Sequence, residues 1–211
     1  MNDMSAYSSW LEIQGWIDTA RDAGRKVDVF EVVSGNGVDA ARAIAGGKDG
    51  CLDALIAHAG GVQVDHGWLR LLGSGGGAQP RSIGSWNVVE NRARLAGAVL
   101  VGDDVLGGFF AIDEGGLKGA PGEVFYFAPD TLAWEGLDIR YGNFLKWIFS
   151  DAFHGFYADF RWPGWEADVR SVSSEQALSV YPPLRAKGEP IEKRSRKAVP
   201  IEEAYSLSVG K

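Results

Sequence analysis

The sequence has little of what marks a secreted or membrane protein. It contains one cysteine, Cys51, in 211 residues, so no disulfide can form within the chain. Residues 1–10 lack the apolar core of a signal peptide. No apolar run approaches the ~20 residues that a membrane helix needs. These absences predict a cytoplasmic protein that does not bind a membrane.

Basic residues are fewer than acidic residues in the sequence, 21 against 28. The net charge is −7, whereas binding to nucleic-acid phosphates requires a positive field, so we expect no nucleic-acid partner. One segment, residues 185–197, carries six basic and two acidic residues, which leaves the rest of the chain at −11. No aromatic residue interleaves its basic run, so stacking on single-stranded bases is not expected. We interpret residues 183–199 as a mobile surface loop.

The familiar catalytic and metal-binding motifs are missing. There is no HExxH, no Cys/His cluster and no EF-hand spacing, so neither a zinc nor a calcium site is expected from a motif. The glycine-rich run at 73–77 lacks the Gly-Lys-Ser/Thr of a P-loop, and Leu72 stands where a nucleophile elbow needs glycine. The sequence therefore predicts no cofactor, and we expect residues 73–80 to form a mobile surface loop.

One glycine pattern resembles a nucleotide-binding turn. Residues 35–40 match G-x-G-x-x-A between a predicted strand and a predicted helix. A dinucleotide fold needs repeated β-α-β units, however, and the chain after residue 61 has the pattern of an antiparallel meander. We interpret the segment as an ordinary loop that caps a helix.

What the chain does have is abundant glycine and short alternating segments. Its 29 glycines favour tight turns, which are typical of short β connections. Periodicity predicts helices at 8–23, 38–46, 52–59 and 144–149, and strands at 27–33, 62–64, 68–72, 98–101, 109–112, 124–127, 131–135 and, at an edge, 199–207. We expect an α+β fold, in which an antiparallel β-meander is flanked by helices, as a single domain over residues 1–211.

Two groups of polar residues are candidates for chemistry. Asp65 and His66 lie in a turn between two predicted strands, where a histidine beside a carboxylate can act as a general base. The alternative is that both side chains bond only the local backbone. The pair Asp103 and Asp104 offers oxygen ligands to Mg²⁺ or Ca²⁺, although acidic residues are also common in turns.

Aromatic residues are concentrated in one part of the chain. Of the 24 Phe, Trp and Tyr residues, 14 lie between Phe125 and Trp165. A core of this size needs only part of that set, so we expect some to line a partner surface: Trp134, Tyr157, Trp162 and Trp165. Arg161 is expected to stack on Trp162 or to join that surface. The alternative is that all of these aromatics are core residues.

Three stretches of the chain resemble a known bacterial family. Residues 64–75 read VDHGWLRLLGSG, residues 107–135 contain GGFFA and VFYFAPDTL, and residues 156–166 contain FYAD and RWPGWE. Together they resemble the family called domain of unknown function 2625. The resemblance covers nearly the whole chain, and it implies no particular activity.

A shorter pattern resembles the SUKH superfamily. It consists of a strand, a Gly-Gly-aromatic strand, a Val-Phe-Tyr-Phe strand and a helix with Phe144, Leu145 and Ile148. This resemblance implies an α+β binding module, and many such modules are immunity proteins against bacterial toxins. An acidic chain would suit a basic toxin domain as its partner. Two hypotheses result: a cytoplasmic protein-binding module, or a small-molecule hydrolase that uses Asp65 and His66.

Overall fold

The computed structural model describes residues 3–33 and 36–210. Its helices are α1 Asp3–Asp22, α2 Asn36–Ala45, α3 Gly50–His58, α4 Ile83–Asn87, α5 Tyr141–Ile148, α6 Ala152–Phe156, α7 Trp165–Arg170 and α8 Ile201–Ser208. The strands are β1 Val27–Phe30, β2 Gly61–Val64, β3 Leu69–Leu72, β4 Val88–Val89, β5 Arg92–Ala93, β6 Ala98–Asp104, β7 Phe109–Asp113, β8 Glu123–Ala128, β9 Ala133–Arg140, β10 Gln176–Tyr181 and β11 Ser195–Pro200.

A seven-stranded antiparallel sheet organises the molecule. Its strand order is β1-β2-β3-β6-β7-β8-β9, and every neighbouring pair is antiparallel. Strands β6 and β7 are buried along their whole length, which is why each begins with an unbroken apolar run, at 98–101 and 109–112, rather than an alternating pattern. Two small hairpins, β4-β5 and β10-β11, form separate two-stranded sheets. The predicted α+β fold, a single domain with helices beside an antiparallel sheet, is confirmed.

Helical packing follows the sequence pattern closely. Helix α1 buries Trp10, Ile13, Ile17 and Ala20 on one face, as their spacing predicts, and it packs against α3. Helix α5 buries Phe144, Leu145 and Ile148 and packs against α3 and the outer strands β8 and β9. Among the described residues, no helix has both the length and the apolar character that crossing a membrane requires.

A buried ion-pair network joins the centre of the sheet to the C-terminal part of the chain. Asp103 on β6 lies between two arginines, 2.7 Å from Nε of Arg70 and 2.7 Å from Nη1 of Arg81. The same arginines donate to backbone carbonyl oxygens, Arg70 to that of Asp104 at 2.9 Å and Arg81 to that of Ser174 at 2.6 Å. The network therefore fixes the segment before β10 against strands β3 and β6.

The G-x-G-x-x-A segment does not begin a nucleotide-binding fold. Gly35 lies outside the described residues, and helix α2 starts at Asn36. Strand β1, which precedes the segment, pairs antiparallel with β2, whereas a dinucleotide fold places parallel strands there. The interpretation as a loop that leads into a helix agrees with this topology.

The segment 73–80 is only partly the surface loop that its glycines suggested, since Gly77, Ala78 and Pro80 are exposed. Gly73, Ser74 and Gly75 are buried, and the amides of Ser74 and Gly75 donate to the carbonyls of Ala59 at 3.1 Å and Gly60 at 2.8 Å. A Cβ at Gly73 would collide with the carbonyl oxygen of Ala59. Glycine is therefore needed here for close approach of two backbones rather than for flexibility.

The C-terminal part of the chain also differs from the sequence-based prediction. Residues Ser195–Pro200 form strand β11, which pairs with β10, so only part of the loop predicted at 183–199 is irregular. The edge strand predicted at 199–207 is instead mostly helix α8, which buries Ile201 and Tyr205 one turn apart. Two buried positions in a helix this short gave too weak a helical pattern to distinguish it from a strand.

The buried network makes a direct stability prediction. Asp103→Ala leaves the charges of Arg70 and Arg81 buried without their counter-ion, so we expect it to lower the free energy of unfolding by about 3–5 kcal/mol. Urea denaturation measures this change. The control is Asp18→Ala, which removes an exposed carboxylate 3.4 Å from Arg21 and should cost less than about 1 kcal/mol. Equal losses in the two variants would contradict a stabilising role for the network.

Candidate functional site

Trp68 is the centre around which most of the predicted site residues assemble. Its ring is fully buried and lies 5.5 Å from that of Tyr157, 5.9 Å from that of Trp162 and 5.2 Å from that of Trp165, between ring centroids. The guanidinium of Arg161 lies 5.1 Å from the Trp68 ring centroid. We call these five residues the Trp68 cluster. Three of the four aromatics predicted from sequence meet here.

Two members of the Trp68 cluster are core residues, which corrects the prediction that they line a partner surface. Tyr157 is 1% exposed, and its hydroxyl donates to Oδ2 of Asp104 at 2.9 Å. Trp162 is 2% exposed, and its Nε1 donates to Oδ2 of Asp168 at 2.8 Å. Trp165 is half-buried and keeps part of its ring at the surface.

Of the two roles predicted for Arg161, stacking on Trp162 is not what the structure shows. The guanidinium of Arg161 lies 4.4 Å from the ring centroid of Trp165, and the guanidinium over Trp162 belongs to Arg196, at 4.3 Å. Adjacent residues 161 and 162 point apart because the chain is extended at Arg161. Arg196 comes from β11, so the basic run near the C-terminus supports the core as well as facing solvent.

A left-handed turn carries Asp65 and His66. The φ angles of Asp65, His66 and Gly67 are 52°, 63° and 95°. Such values are rare outside glycine and cost energy in non-glycine residues, so surrounding contacts must hold the turn. The amide of Asp65 donates to the carbonyl of Lys26 at 2.7 Å, and that of Trp68 donates to the carbonyl of Asp65 at 3.1 Å. The turn directs Asp65 inward and leaves His66 partly exposed.

The carboxylate of Asp65 is matched by buried cations. It is 4% exposed, and its Oδ2 accepts from Nη2 of Arg161 at 2.6 Å while its Oδ1 lies 3.4 Å from Nε of Arg25. Arg25 also donates to the carbonyl of Ile148 at 2.7 Å. Nε2 of His154 lies 3.8 Å from the same carboxylate. Asp65 therefore links the turn to helix α5, to α6 and to the Trp68 cluster.

His66 faces away from this carboxylate. Both of its ring nitrogens lie 3.2 Å from guanidinium nitrogens of Arg170, and its ring centroid is 6.2 Å from that of Trp165. Burial, followed by the positive charge of Arg170, lowers the pKa of His66 below its usual 6.5. The structure thus gives Asp65 and His66 different partners, and it does not bring them together as an acid–base pair.

The outer side of the site is a row of guanidinium, imidazole and indole groups, in which the two arginines carry the positive charge at neutral pH. We define the cationic face as Arg170, His66, Trp165, Arg161 and His154. His154 is 45% exposed, and its Nδ1 lies 2.6 Å from Nη1 of Arg161. Burial lowers the pKa of His154, an effect that the nearby Asp65 carboxylate partly offsets. Charged guanidinium groups beside imidazole hydrogen-bonding groups suit an anionic group, such as a carboxylate, on a partner.

The acidic candidates for a metal site have other roles. Oδ1 of Asp104 accepts from the amides of Leu106 and Gly108 at 2.8 and 2.9 Å, and Oδ2 accepts from Tyr126 at 2.6 Å as well as from Tyr157. Burial raises the pKa of Asp104, although these hydrogen bonds act in the opposite direction. Asp103 is held by its two arginines. No group of three or more His, Cys, Asp or Glu residues within 3–33 and 36–210 is placed to hold a metal ion.

Trp134 is the one predicted binding residue that lies outside this assembly. It is on β9, is half-buried, and packs edge-on against Phe127 with 5.4 Å between centroids. Sequence reasoning in turn missed Trp68, Arg25, His154 and Arg170 as site residues. Trp68 stood inside the most distinctive motif of the chain, next to Gly67, and that was the one available signal.

The sequence of the chain also places it in a family. A family model described as "Protein of unknown function DUF2625" matches residues 3–204 of the chain. The chain belongs to the DUF2625 family. This membership confirms the first resemblance drawn from the motifs at 64–75, 107–135 and 156–166. The link to the SUKH superfamily stays a prediction.

Two curated relatives extend over nearly all of this DUF2625 protein. The putative uncharacterized protein YbfG of Escherichia coli K12 is 35% identical over 202 residues, which cover 95% of this chain and 90% of YbfG. An uncharacterized protein of Haemophilus influenzae is 30% identical over 209 residues, which cover 96% of this chain and 89% of the relative. No solved structure matches the chain significantly.

The contact between Arg170 and His66 predicts a measurable change in titration. Arg170→Gln removes one of the positive charges that lower the pKa of His66, so we expect that pKa to rise toward 6.5. NMR titration of the imidazole C–H signals measures the shift. His154 is the internal control, because Arg170 is not among the groups that shift its pKa. An unchanged His66 pKa would show that the contact is not kept in solution.

The two histidines also predict how stability depends on pH. Their folded pKa values lie below 6.5, so the unfolded chain binds more protons near that pH, and the free energy of unfolding should fall as the pH drops through and below 6.5. Urea denaturation at neutral and mildly acidic pH measures the slope. The variant His66→Asn, His154→Gln should have a smaller slope. An identical slope would assign the dependence to other groups.

Proposed function

We propose that this protein is a protein-binding module whose partner docks on the cationic face. The observation that supports this most directly is the assembly of Trp165, Arg161, Arg170 and two histidines over one buried aromatic cluster. Tryptophan and arginine dominate the energetically important positions of protein interfaces. A surface of this composition is suited to a protein partner that presents carboxylates.

The rigidity of the cationic face favours binding. Arg161 is held by Asp65 and His154, His66 lies on a strained turn, and Trp165 packs against buried Trp68. Side chains that are already ordered lose little conformational entropy when a partner arrives, so more of the contact energy remains as affinity. The buried ion pairs around Asp65 therefore serve the surface above them.

In its finer form, the proposal is that the partner is a bacterial toxin domain and that this protein is an immunity protein. The resemblance to the SUKH superfamily suggests this role, and the net charge of −7 attracts a basic partner at long range. A basic partner also carries carboxylates, and one at its contact surface would suit the arginines of the cationic face at short range. We do not extend the proposal to hydrolysis by Asp65 and His66, because their side chains diverge.

A two-step experiment tests the binding proposal. A photo-crosslinking amino acid at the exposed Ala167, one turn before Arg170 on helix α7, identifies the partner in the native host, and the same label at the exposed Glu12 is the control. The partner is then purified, and calorimetry compares the wild type with Arg170→Ala and His154→Ala. We expect each substitution to weaken binding about tenfold.

The matched control for this prediction is Arg92→Ala, which removes an exposed arginine on β5, outside the cationic face. It should leave the affinity unchanged. Equal affinities for all variants would mean that the cationic face is not the interface. If the partner is an enzyme, titration with the wild type should inhibit it; binding without inhibition would contradict the immunity role alone.

A further inference from the structure

Strand β9 gives the large sheet an open edge. It is the last strand of the order β1-β2-β3-β6-β7-β8-β9, and within the part of the chain that the structure describes no strand pairs with its outer side. Five of its eight residues are exposed and the other three are half-buried. An open edge presents unpaired backbone N–H and C=O groups, which can accept a further strand from another chain.

The charge along this edge has one sign. Asp130, Glu135 and Asp138 lie on β9 or in the turn before it, and residues 129–139 contain no lysine or arginine. Glu135 also accepts a hydrogen bond from the hydroxyl of Thr131 at 2.7 Å, which orders its carboxylate at the surface. Arg140 is the first basic residue, at the end of the strand. The open edge therefore carries a local negative field.

A bulge limits how much of the edge a partner strand can use. Phe125 pairs with Gly136 and Glu123 with Arg140, so four steps along β9 match two along β8. Asp138 within this bulge has a φ of 54°. The regular part is Ala133–Gly136, and the bulge turns the following residues away from the line of the strand. A short extended segment fits this edge better than a long one.

Apolar contacts are available beside the regular part of the edge. Trp134 is half-buried against Phe127, and Leu132, with a φ of 55°, is 36% exposed. In strand addition, main-chain hydrogen bonds supply affinity, while alternate side chains of the added strand pack against neighbouring apolar residues, here Trp134 and Leu132. The segment that fits therefore alternates apolar and charged residues.

The sign of the charge selects among occupants. A second copy of this chain pairing edge to edge would bring like charges together, which is destabilising in cross-strand positions. A basic segment would instead place a lysine or arginine opposite Glu135, within the negative field to which Asp130 and Asp138 contribute. We infer that the edge of β9 accepts a short, extended, basic segment of a partner protein by strand addition. This site shares no residue with the cationic face, so either assignment can fail without the other.

The test uses a capped peptide of alternating lysine and valine with the full-length protein. We expect calorimetry to show binding that weakens as salt is added. Hydrogen exchange of the backbone amides within Ala133–Gly136 should become slower when the peptide is added. A second peptide carries the same charge but has proline in place of every valine. Because proline has no amide hydrogen, it cannot extend a sheet, and its binding should be lost.

Matched variants separate the local field from the net charge. The variant Asp130→Asn, Glu135→Gln, Asp138→Asn should bind the lysine–valine peptide roughly tenfold more weakly. Asparagine tolerates the left-handed conformation at 138, so the bulge should be retained. The control variant Glu12→Gln, Asp22→Asn, Glu192→Gln removes three negative charges at exposed positions outside β9 and should bind as the wild type does.

Several results would overturn the inference. One is a lysine–valine peptide that fails to bind, or that binds without slowing exchange in β9. Equal binding of the proline peptide would indicate electrostatic attraction alone, without strand addition. Equal loss of affinity in the two triple variants would mean that net charge, and not the edge of β9, governs the interaction.

Discussion

Two of the buried carboxylates in this fold are matched by arginines, and these two ion-pair networks organise the molecule. Asp103 lies between Arg70 and Arg81 in the middle of the sheet, and Asp65 lies near Arg25 and Arg161 at the end of β2. An unmatched charge in either place would carry a large desolvation penalty. Each pairing therefore ties together segments that are far apart in sequence: the first docks the C-terminal hairpin, and the second supports the left-handed turn.

The arginines link these interior pairings to the surface. Arg161 contacts Asp65 on one side and Trp165 and His154 on the other. The buried carboxylate of Asp65 therefore positions these surface groups through Arg161. The ion pairs of Asp65 also help to hold a turn with three positive φ values. The structure separates two properties of this DUF2625 protein: a negative charge overall, and a localised cationic face.

Much of the fold could be predicted from local patterns, and the site could not. The helical spacing of buried residues from Trp10 to Ala20 correctly predicted helix α1, and apolar runs correctly predicted strands β6–β8. Burial leaves such patterns within a single segment, where the sequence reveals them. The contact between Asp65 and Arg161 spans 96 positions, and no local pattern encodes it. The glycines at 73–75 mimic a linker in composition, since close backbone approach and flexibility require the same residue. Helix α8 was missed for lack of a longer buried stripe.

The three indoles gathered at residues 68, 162 and 165 have an optical consequence. Their ring centroids are within 5.9 Å of the central one, close enough for excitation to pass between rings. Trp165 reaches the surface, where its ring packs against the guanidinium of Arg161 and lies near the imidazole of His66. Excitation of the buried indoles can therefore reach Trp165, whose emission depends on its surroundings. The fluorescence of the protein should thus report the binding of a partner to the cationic face.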